Sequence, residues 1–460
     1  MAIITSISGI RGTIGGEPGK NLTPIDAVKF ASAYGQWLKN TYPNQKLRVV
    51  IGRDARISGA MLQNLVTQTL NALGINTIDL GLSTTPTVEV AVPNEQAQGG
   101  IILTASHNPK EWNALKLLNH KGEFINDAEG KALLQIAEAE AFSFAEVDHL
   151  GTNTPKTDYM DWHIEQVLAL DNVLSEAIRQ KKFKIAVDGI NSTGGIIIPN
   201  LLNKLGAEVV ELNGEPTGNF AHNPEPLKAH LEEICQKVID EKADLGIVVD
   251  PDVDRLAFIT ERGEMFGEEY TLVAVADYLL SKNEGACVSN LSSSRALRDV
   301  AHRYGCDYFA SAVGEVNVVE KMKAVDAVIG GEGNGGIIYP KSHYGRDALV
   351  GIVFFLSLLT ERNINLTDLK QSYPAYFMSK KKIALHEGFN VDQLLESMQA
   401  DYVHKNPTTI DGLKIDFEDS WVHLRKSNTE PIVRIYTEAP SQAAADSLAD
   451  RFIAEMQSKV

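Results

Sequence analysis

Cysteine is scarce in this chain: three residues in 460, at positions 235, 287 and 306. The number is odd, the spacing is wide and no CxxC pair occurs, so neither a disulfide framework nor a thiolate zinc site is expected. Cys235, Cys287 and Cys306 read as free thiols of a reducing, cytoplasmic setting. Long apolar runs are missing too. No stretch approaches the ~20 residues a bilayer-spanning helix needs. Met1 to Ile10 holds no basic stretch and no long apolar one. Neither a membrane anchor nor a secretory signal is therefore expected. Basic residues are in deficit, with 43 Lys and Arg against 60 Asp and Glu, a formal charge of −17. Such a surface repels phosphate backbones and argues against nucleic acid as a partner. An anionic small molecule stays compatible, provided its site is locally basic. Low-complexity tracts and coiled-coil heptads are absent. What remains is 44% hydrophobic and 22% charged, the composition of a globular protein. The length is enough for three or four domains.

One pattern occurs three times: strand, polar loop, helix, glycine, strand. Lys46–Ile51 leads into Gly52-Arg53-Asp54, then a helix ending at Leu73-Gly74, then a strand through Ile78. Lys184–Val187 leads into Asp188-Gly189, then a helix ending at Leu205-Gly206, then Glu208–Leu212. Ala286–Val288 leads into Asn290 and Ser292–Ser294, then a helix ending at Tyr304-Gly305, then Tyr308-Phe309. A glycine just past a helix suits the left-handed cap position. The repeats predict three similar α/β domains with mixed or parallel sheets. Polar breaks and strand ends put these domains at 1–152, 153–258 and 259–372. Residues 373–460 differ in character. They read as strands at Ile383–Leu385, Leu413–Phe417, Trp421–Leu424 and Ile432–Thr437, then an amphipathic helix over Ser441–Lys459, an α+β unit.

Four loops carry the chemistry. The apolar Gly100-Ile101-Ile102-Leu103 stops at Thr104-Ala105-Ser106-His107-Asn108-Pro109. It reads as a buried strand ending in a loop that can hold a reactive hydroxyl, with a plain Asn-Pro turn as the alternative. Asp250-Pro251-Asp252-Val253-Asp254-Arg255 follows Leu245–Val249. Alternate residues of an extended segment point one way, so the three carboxylates converge. At ~4 Å each pair repels by about 4 kcal/mol at an effective dielectric near 20, which a bound cation relieves. All-oxygen ligands favour Mg²⁺ or Ca²⁺. An EF-hand (Glu261 is twelfth from Asp250, but Arg255 takes the glycine position), an aspartyl nucleophile of a phosphatase and a solvated acidic turn remain open.

In Gly330-Gly331-Glu332-Gly333-Asn334-Gly335-Gly336 the G-x-G-x-x-G spacing is met by Gly331, Gly333 and Gly336. The dinucleotide fingerprint must open a helix, whereas Ile337-Ile338-Tyr339-Pro340 reads as a strand. Glycines here let the backbone approach a ligand, and Glu332 and Asn334 supply hydrogen-bonding groups suited to sugar hydroxyls; a flexible turn is the bland alternative. Arg425-Lys426-Ser427-Asn428-Thr429-Glu430-Pro431, with Arg434, has the composition of a phosphate pocket, or of a charged hairpin tip. Arg11 between Gly9 and Gly12, and Lys116 shortly after the serine loop, add two cations. A lysine among cations can titrate low enough to move protons.

T-A-S-H-N-P, D-P-D-x-D-R, G-E-x-N-G and R-x-S-N-T-E-P, in this order and at these spacings, resemble the α-D-phosphohexomutase superfamily from end to end. The resemblance implies three related α/β domains and a C-terminal domain around a central cleft. It implies a reversible shift of phosphate between the 1- and 6-positions of a hexose, through a phosphoserine and a bisphosphorylated intermediate. Ser106 would be the phosphorylated serine, and Asp250, Asp252 and Asp254, with the serine phosphate, would hold Mg²⁺. Arg11 and Arg255 would contact the transferring phosphoryl group, Lys116 would move the proton, and His107 neighbours the serine. Glu332 would bind sugar hydroxyls; Arg425, Ser427, Asn428, Thr429 and Arg434 would grip the non-reacting phosphate. A hexose 1,6-bisphosphate would act as activator. Many relatives carry Ser-Gly-His after the sugar-loop Glu, where Asn334-Gly335-Gly336 stands here; His343 is the substitute this implies. The variant loop, Val313-Gly314-Glu315 and Glu111-Trp112-Asn113 are more similar to phosphoglucosamine mutases. That implies glucosamine 6-phosphate to glucosamine 1-phosphate, with phosphomannomutase/phosphoglucomutase activity as the alternative and a phosphosugar phosphatase further off. No oligomeric state is legible.

Overall fold

The structure is a computed structural model that describes residues 4–6, 9–282, 285–384, 390–426 and 432–459. Its first three units repeat one four-stranded sheet. In the second unit Lys184–Asp188 pairs in parallel with Glu208–Leu212 on one side and with Leu245–Val249 on the other, and Leu256–Thr260 closes the edge antiparallel. The third repeats this with Ala286–Asn290, Tyr308–Ser311, Ala327–Glu332 and Gly336–Ile338. The first does so with Arg48–Arg53, Asn76–Leu82, Gly99–Leu103 and Trp112–Leu118. The three expected βαβ units are thus present, each extended by a parallel third strand and an antiparallel fourth. Apolar runs such as Leu245–Val249 are buried along their whole length, as strands covered on both faces require. The three expected glycine stops hold: Gly74, Gly206 and Gly305 follow their helices at φ of 81°, 71° and 66°.

The first sheet is wider than its copies. Ile4–Ser6 and Gly9–Thr13 add to the Trp112–Leu118 edge, and Asn153–Pro155 adds beside Asn76–Leu82. The expected boundary at 152 therefore falls one strand early, and the one at 258 falls inside Leu256–Thr260. Pro155 and a polar surrounding hid an edge strand, where proline is tolerated. The last unit is a four-stranded antiparallel sheet of Phe377–Ala384, Ile432–Ala439, Trp421–Lys426 and Leu413–Asp416. Helices Val391–Asp401 and Gln442–Gln457 accompany it, the latter capped by Ser441.

The second and third units share their largest core, beside a smaller apolar cluster in each. One apolar cluster runs from Ile185, Ile247 and Phe258 through the helix Ala348–Arg362 to Cys287 and Ile329. That helix is buried nearly all round, and its Phe355 stacks on Phe258 at 3.8 Å between ring centroids. The first and last units keep cores of their own. Cys287 and Cys306 are buried, Cys235 is half-buried, and all three are free. Among the described residues no helix is long and apolar enough to cross a membrane.

Candidate active site

The threefold repeat decides where the chemistry lies. In each copy the third strand turns into the antiparallel fourth, and that turn carries a sequence motif. The turn holds Ser106 after Gly99–Leu103, the three aspartates after Leu245–Val249, and Asn334 beside Glu332 at the end of Ala327–Glu332. A cavity of 740 Å³ brings Arg11, Ser106, His107, Lys116, Arg255 and Glu332 to one space.

Ser106 is held in the left-handed region at φ 49°, where a non-glycine residue is uncommon. The surrounding loop enforces this. Ser106 N donates to Thr104 Oγ1 at 2.9 Å, and Thr104 Oγ1 donates to Asp54 Oδ2 at 2.7 Å. Arg56 is fully buried and pairs with Asp54 at 3.0 Å. Its guanidinium also donates to the carbonyls of Ser106, Asn108, Pro109 and Trp112 at 2.5, 2.6, 2.7 and 2.9 Å. The serine hydroxyl, so fixed, donates to Asp250 Oδ2 at 2.7 Å. His107 Nδ1 lies 3.3 Å from the serine Oγ, and its Nε2 lies 3.5 Å from Arg255 Nη2. Burial, then the charges of Arg255 and Arg11, push the His107 imidazole well below the usual histidine range. Arg11 donates to Asn108 Oδ1 at 2.7 Å, and Arg255 pairs with Glu225 at 3.3 Å.

Asp250, Asp252 and Asp254 are fully buried, and one carboxylate oxygen from each lies within 4.8 Å of the others. Oδ1 of Asp252 and Oδ1 of Asp254 are buried without any hydrogen-bond partner. Converging carboxylates with unmatched oxygens fit a hard divalent cation such as Mg²⁺. An EF-hand is excluded, because Leu245–Val249 and Leu256–Thr260 form an antiparallel hairpin and not two helices. Asp250 is a poor nucleophile here: Oδ1 accepts from the backbone of Asp254 and Arg255, and Oδ2 accepts from Ser106. Burial, then the charges of Asp254 and Asp252, push its carboxyl well above the usual range. Lys116 Nζ lies 2.7 Å from Asp252 Oδ2 and 3.5 Å from Asp254 Oδ2. Its burial opposes the charge, but Asp252 and Asp254 together outweigh it and hold the ammonium above the ordinary lysine range, so the low titration expected of a lysine among cations is not met: the groups against it are carboxylates.

Arg346 belongs to the site although no motif marked it. It pairs with Asp254 at 2.7 Å, Glu332 at 2.9 Å and Glu315 at 3.1 Å, and lines the cavity. One guanidinium thus ties the three-aspartate loop to the Glu332 loop. Its signal was the Tyr344-Gly345-Arg346-Asp347 turn, a cation between a glycine and a helix-capping aspartate. Glu332 also accepts from Asn290 Nδ2 at 2.8 Å and from Gly314 N at 3.2 Å. Asn334 is turned onto its own loop, with Oδ1 accepting from Gly336 N at 3.2 Å. His343 does not border the cavity. Its Nε2 faces Asp347 at 3.2 Å and its Nδ1 faces Glu89 at 3.4 Å, so the structure brings it to a second buried cluster and not to the serine.

Arg425 and Arg434 lie on neighbouring strands of the last sheet, opposite each other, with Lys382 opposite Arg434 on the next strand. Like charges across a ladder are destabilising unless an anion bridges them. Arg425 is steadied by Asp411 at 2.8 Å, whose carboxylate also accepts from Val313 N in the third unit at 2.9 Å. Neither arginine borders the cavity around Ser106. Ser427, Asn428 and Thr429 lie outside the described residues.

A positioned serine, an aspartate cage and a loop of sugar-binding character define a phosphoryl-transfer fold of a known kind. Four domain families match along the chain. They are the phosphoglucomutase/phosphomannomutase alpha/beta/alpha domains I, II and III over residues 3–144, 161–263 and 267–376, and the C-terminal domain over 380–455. The chain belongs to the phosphoglucomutase/phosphomannomutase family, within the α-D-phosphohexomutase superfamily. It is 34% identical to a phosphoglucomutase/phosphomannomutase of Thermococcus kodakarensis, over 94% of this chain and 95% of that one. It is 30% identical to a phosphoglucosamine/phosphogalactosamine mutase of Sulfurisphaera tokodaii, over 97% and 98%. The structure superposes on that of a phosphoglucomutase/phosphomannomutase family protein from Burkholderia thailandensis with a TM-score of 0.84 at 25% identity, covering 99% and 98%.

Proposed function

We propose that this chain is an isomerase that moves phosphate between the 6- and 1-positions of a hexose, with glucosamine 6-phosphate and glucosamine 1-phosphate as the preferred pair. The observation that carries the reading is the Ser106 hydroxyl, 2.7 Å from Asp250 and inside a cleft rimmed by Arg11, Lys116 and Arg255. Phosphoryl transfer needs positioning and charge neutralisation more than covalent help, and this cleft supplies both.

In the forward half-reaction the P–Oγ bond of phosphorylated Ser106 breaks and a bond forms to the free sugar hydroxyl. The hydroxyl proton goes to a base, and the released serine oxygen takes up a proton, so the count balances. The bisphosphorylated sugar then reorients, and Ser106 Oγ attacks the other phosphate to regenerate the phosphoserine. Asp250, Asp252 and Asp254 are the residues that would hold Mg²⁺, which would neutralise phosphoryl charge and compete with Lys116 for its carboxylates. Lys116 is the side chain placed to carry the proton, and it can serve as the base only when freed from Asp252 and Asp254. Arg11 and Arg255 counter the charge of the transferring group. Glu332 accepts from sugar hydroxyls, with Arg346 fixing its position. The facing cations Arg425 and Arg434, together with Ser427, Asn428 and Thr429, would grip the phosphate that does not react. A hexose 1,6-bisphosphate would charge Ser106 at the outset.

Relatives named for glucosamine phosphates favour the amino sugar, while the relative named phosphoglucomutase/phosphomannomutase supports the rival. Peptide mass mapping after incubation with glucose 1,6-bisphosphate is expected to locate one phosphoryl group on Ser106. A label on Asp250 instead, with Ser106→Ala still active, would replace the mutase by a phosphatase. Coupled assays on glucosamine, glucose and mannose 1-phosphates then rank the sugars, and a preference for mannose overturns the choice of glucosamine.

A further inference from the structure

Behind Arg346 lies a buried cluster that the phosphoryl chemistry does not use. His163, on the helix Tyr159–Leu168, and His343 both aim Nε2 at one oxygen, Asp347 Oδ2, at 3.1 and 3.2 Å. The second oxygen of Asp347 is committed elsewhere: Oδ1 caps the helix Ala348–Arg362 by accepting from Leu349 N at 2.8 Å. His163 and Asp347 are buried, and the His343 side chain is only 9% exposed.

Proton placement decides what this cluster is for. If it is only a hydrogen-bonded brace, both histidines must carry hydrogen on Nε2 to satisfy Asp347. Their Nδ1 atoms are then acceptors. Yet His343 Nδ1 faces Glu89 Oε2 at 3.4 Å, so the brace closes only if that carboxyl keeps a proton, towards which burial and the charge of Glu315 push it. Glu89 is 1% exposed and neither of its oxygens has a hydrogen-bond partner. The opposite tautomers need no proton on Glu89. With hydrogen on Nδ1, His343 faces Glu89 as a donor, and His163 donates to Thr87 Oγ1 at 3.0 Å, which pairs in turn with Thr84 Oγ1 at 2.7 Å. Both Nε2 lone pairs then converge on Asp347 Oδ2, an arrangement that a metal ion bound between them satisfies. Histidines whose outer nitrogen is held by a carboxylate or hydroxyl are the usual supporting shell of a metal site.

We propose that His163 Nε2, His343 Nε2 and Asp347 Oδ2 form a second metal site, distinct from the three aspartates. Two imidazoles and one carboxylate suit a borderline divalent ion such as Zn²⁺, Co²⁺ or Ni²⁺, and suit Mg²⁺ poorly. The site draws together three parts of the chain: the helix Thr85–Asn94 through Thr87 and Glu89, the helix Tyr159–Leu168 through His163, and the capping turn through His343 and Asp347. Arg346 is the next residue in that turn. The ion is therefore a staple that positions Arg346 between Asp254 and Glu332.

The test uses full-length protein stripped with a chelator, then given Co²⁺ in the presence of millimolar Mg²⁺ to fill the aspartate cage. The expected result is one retained equivalent of Co²⁺ with a visible ligand-field band, kept in Asp252→Asn and lost in the His163→Gln/His343→Gln double variant. X-ray absorption on the unmodified protein is expected to show about two imidazoles in the first shell, and it decides the matter if the double variant fails to fold. No retained Co²⁺, retention that survives the double variant, loss in Asp252→Asn, or an all-oxygen shell overturns the proposal.

Discussion

At the scale of single residues, the site depends on side chains that never touch a substrate. Arg56 satisfies four loop carbonyls and the carboxylate of Asp54 from a fully buried position. Arg56→Met would leave Asp54 as an unpaired buried charge, so a loss of about 3–5 kcal/mol is expected in urea unfolding. Ser106→Ala removes one hydroxyl with its hydrogen bond to Asp250 and its longer contact with His107. Stability should change by no more than about 1–2 kcal/mol, while turnover falls by more than about 10³-fold and phosphoryl incorporation disappears. The pairing of a silent stability assay with a dead enzyme separates nucleophile from scaffold. Ser106 and the three aspartates were legible because each interrupts or ends an apolar run with an uncommon motif. Arg56 and Arg346 were not. A buried arginine looks like any surface arginine until the carbonyls and carboxylates that enclose it are brought together by the fold.

At the scale of elements, strands and helices were legible from apolar runs and glycine stops, and edges were not. Asn153–Pro155 carries no apolar signal, because an exposed edge strand needs none. The fourth strand of the third copy was legible at Ile337–Pro340, but its antiparallel direction was not: short runs such as Gly336–Ile338 do not announce it. Without that direction, the common location of the three loops could not be read. The Glu332 loop is closely packed. Gly335 adopts φ 85°, and a Cβ there would lie 2.1 Å from the Leu256 carbonyl oxygen. Gly335→Ala is expected to cost about 1–3 kcal/mol in equilibrium unfolding. Because Glu332 moves with that loop, KM for the sugar phosphate should rise more than kcat falls.

At the scale of the whole molecule, the last unit meets the third through groups that respond to acid. His423 is buried, accepts from Ser292 of the third unit across 2.9 Å and donates through Nε2 to the Asp411 carbonyl at 2.7 Å. Burial first, with Lys414 and Arg425 adding to it, pushes its imidazole down to about 4. The unfolded chain therefore binds a proton that the folded chain refuses. This contribution is complete above the ordinary histidine value near 6.5 and is lost as pH falls from there towards 4. Its size is roughly 3 kcal/mol. Thermal melts at pH 7.5 and pH 5 should show the drop, and His423→Gln should flatten it. The sequence divided the chain into four units, but the shared core of the second and third was beyond it, since periodicity does not say which neighbour a buried helix serves.

The repeated strand junction has a mechanical consequence. Ser106 is mounted on the corner of one block with its own core, whereas the three aspartates and the Glu332 loop sit together on a second block with a shared core. A small swing of one block changes the gap between two of these groups while leaving the internal geometry of each untouched. Phosphate-to-hydroxyl distance can thus be adjusted by moving whole blocks, with no need to deform any of the three mountings.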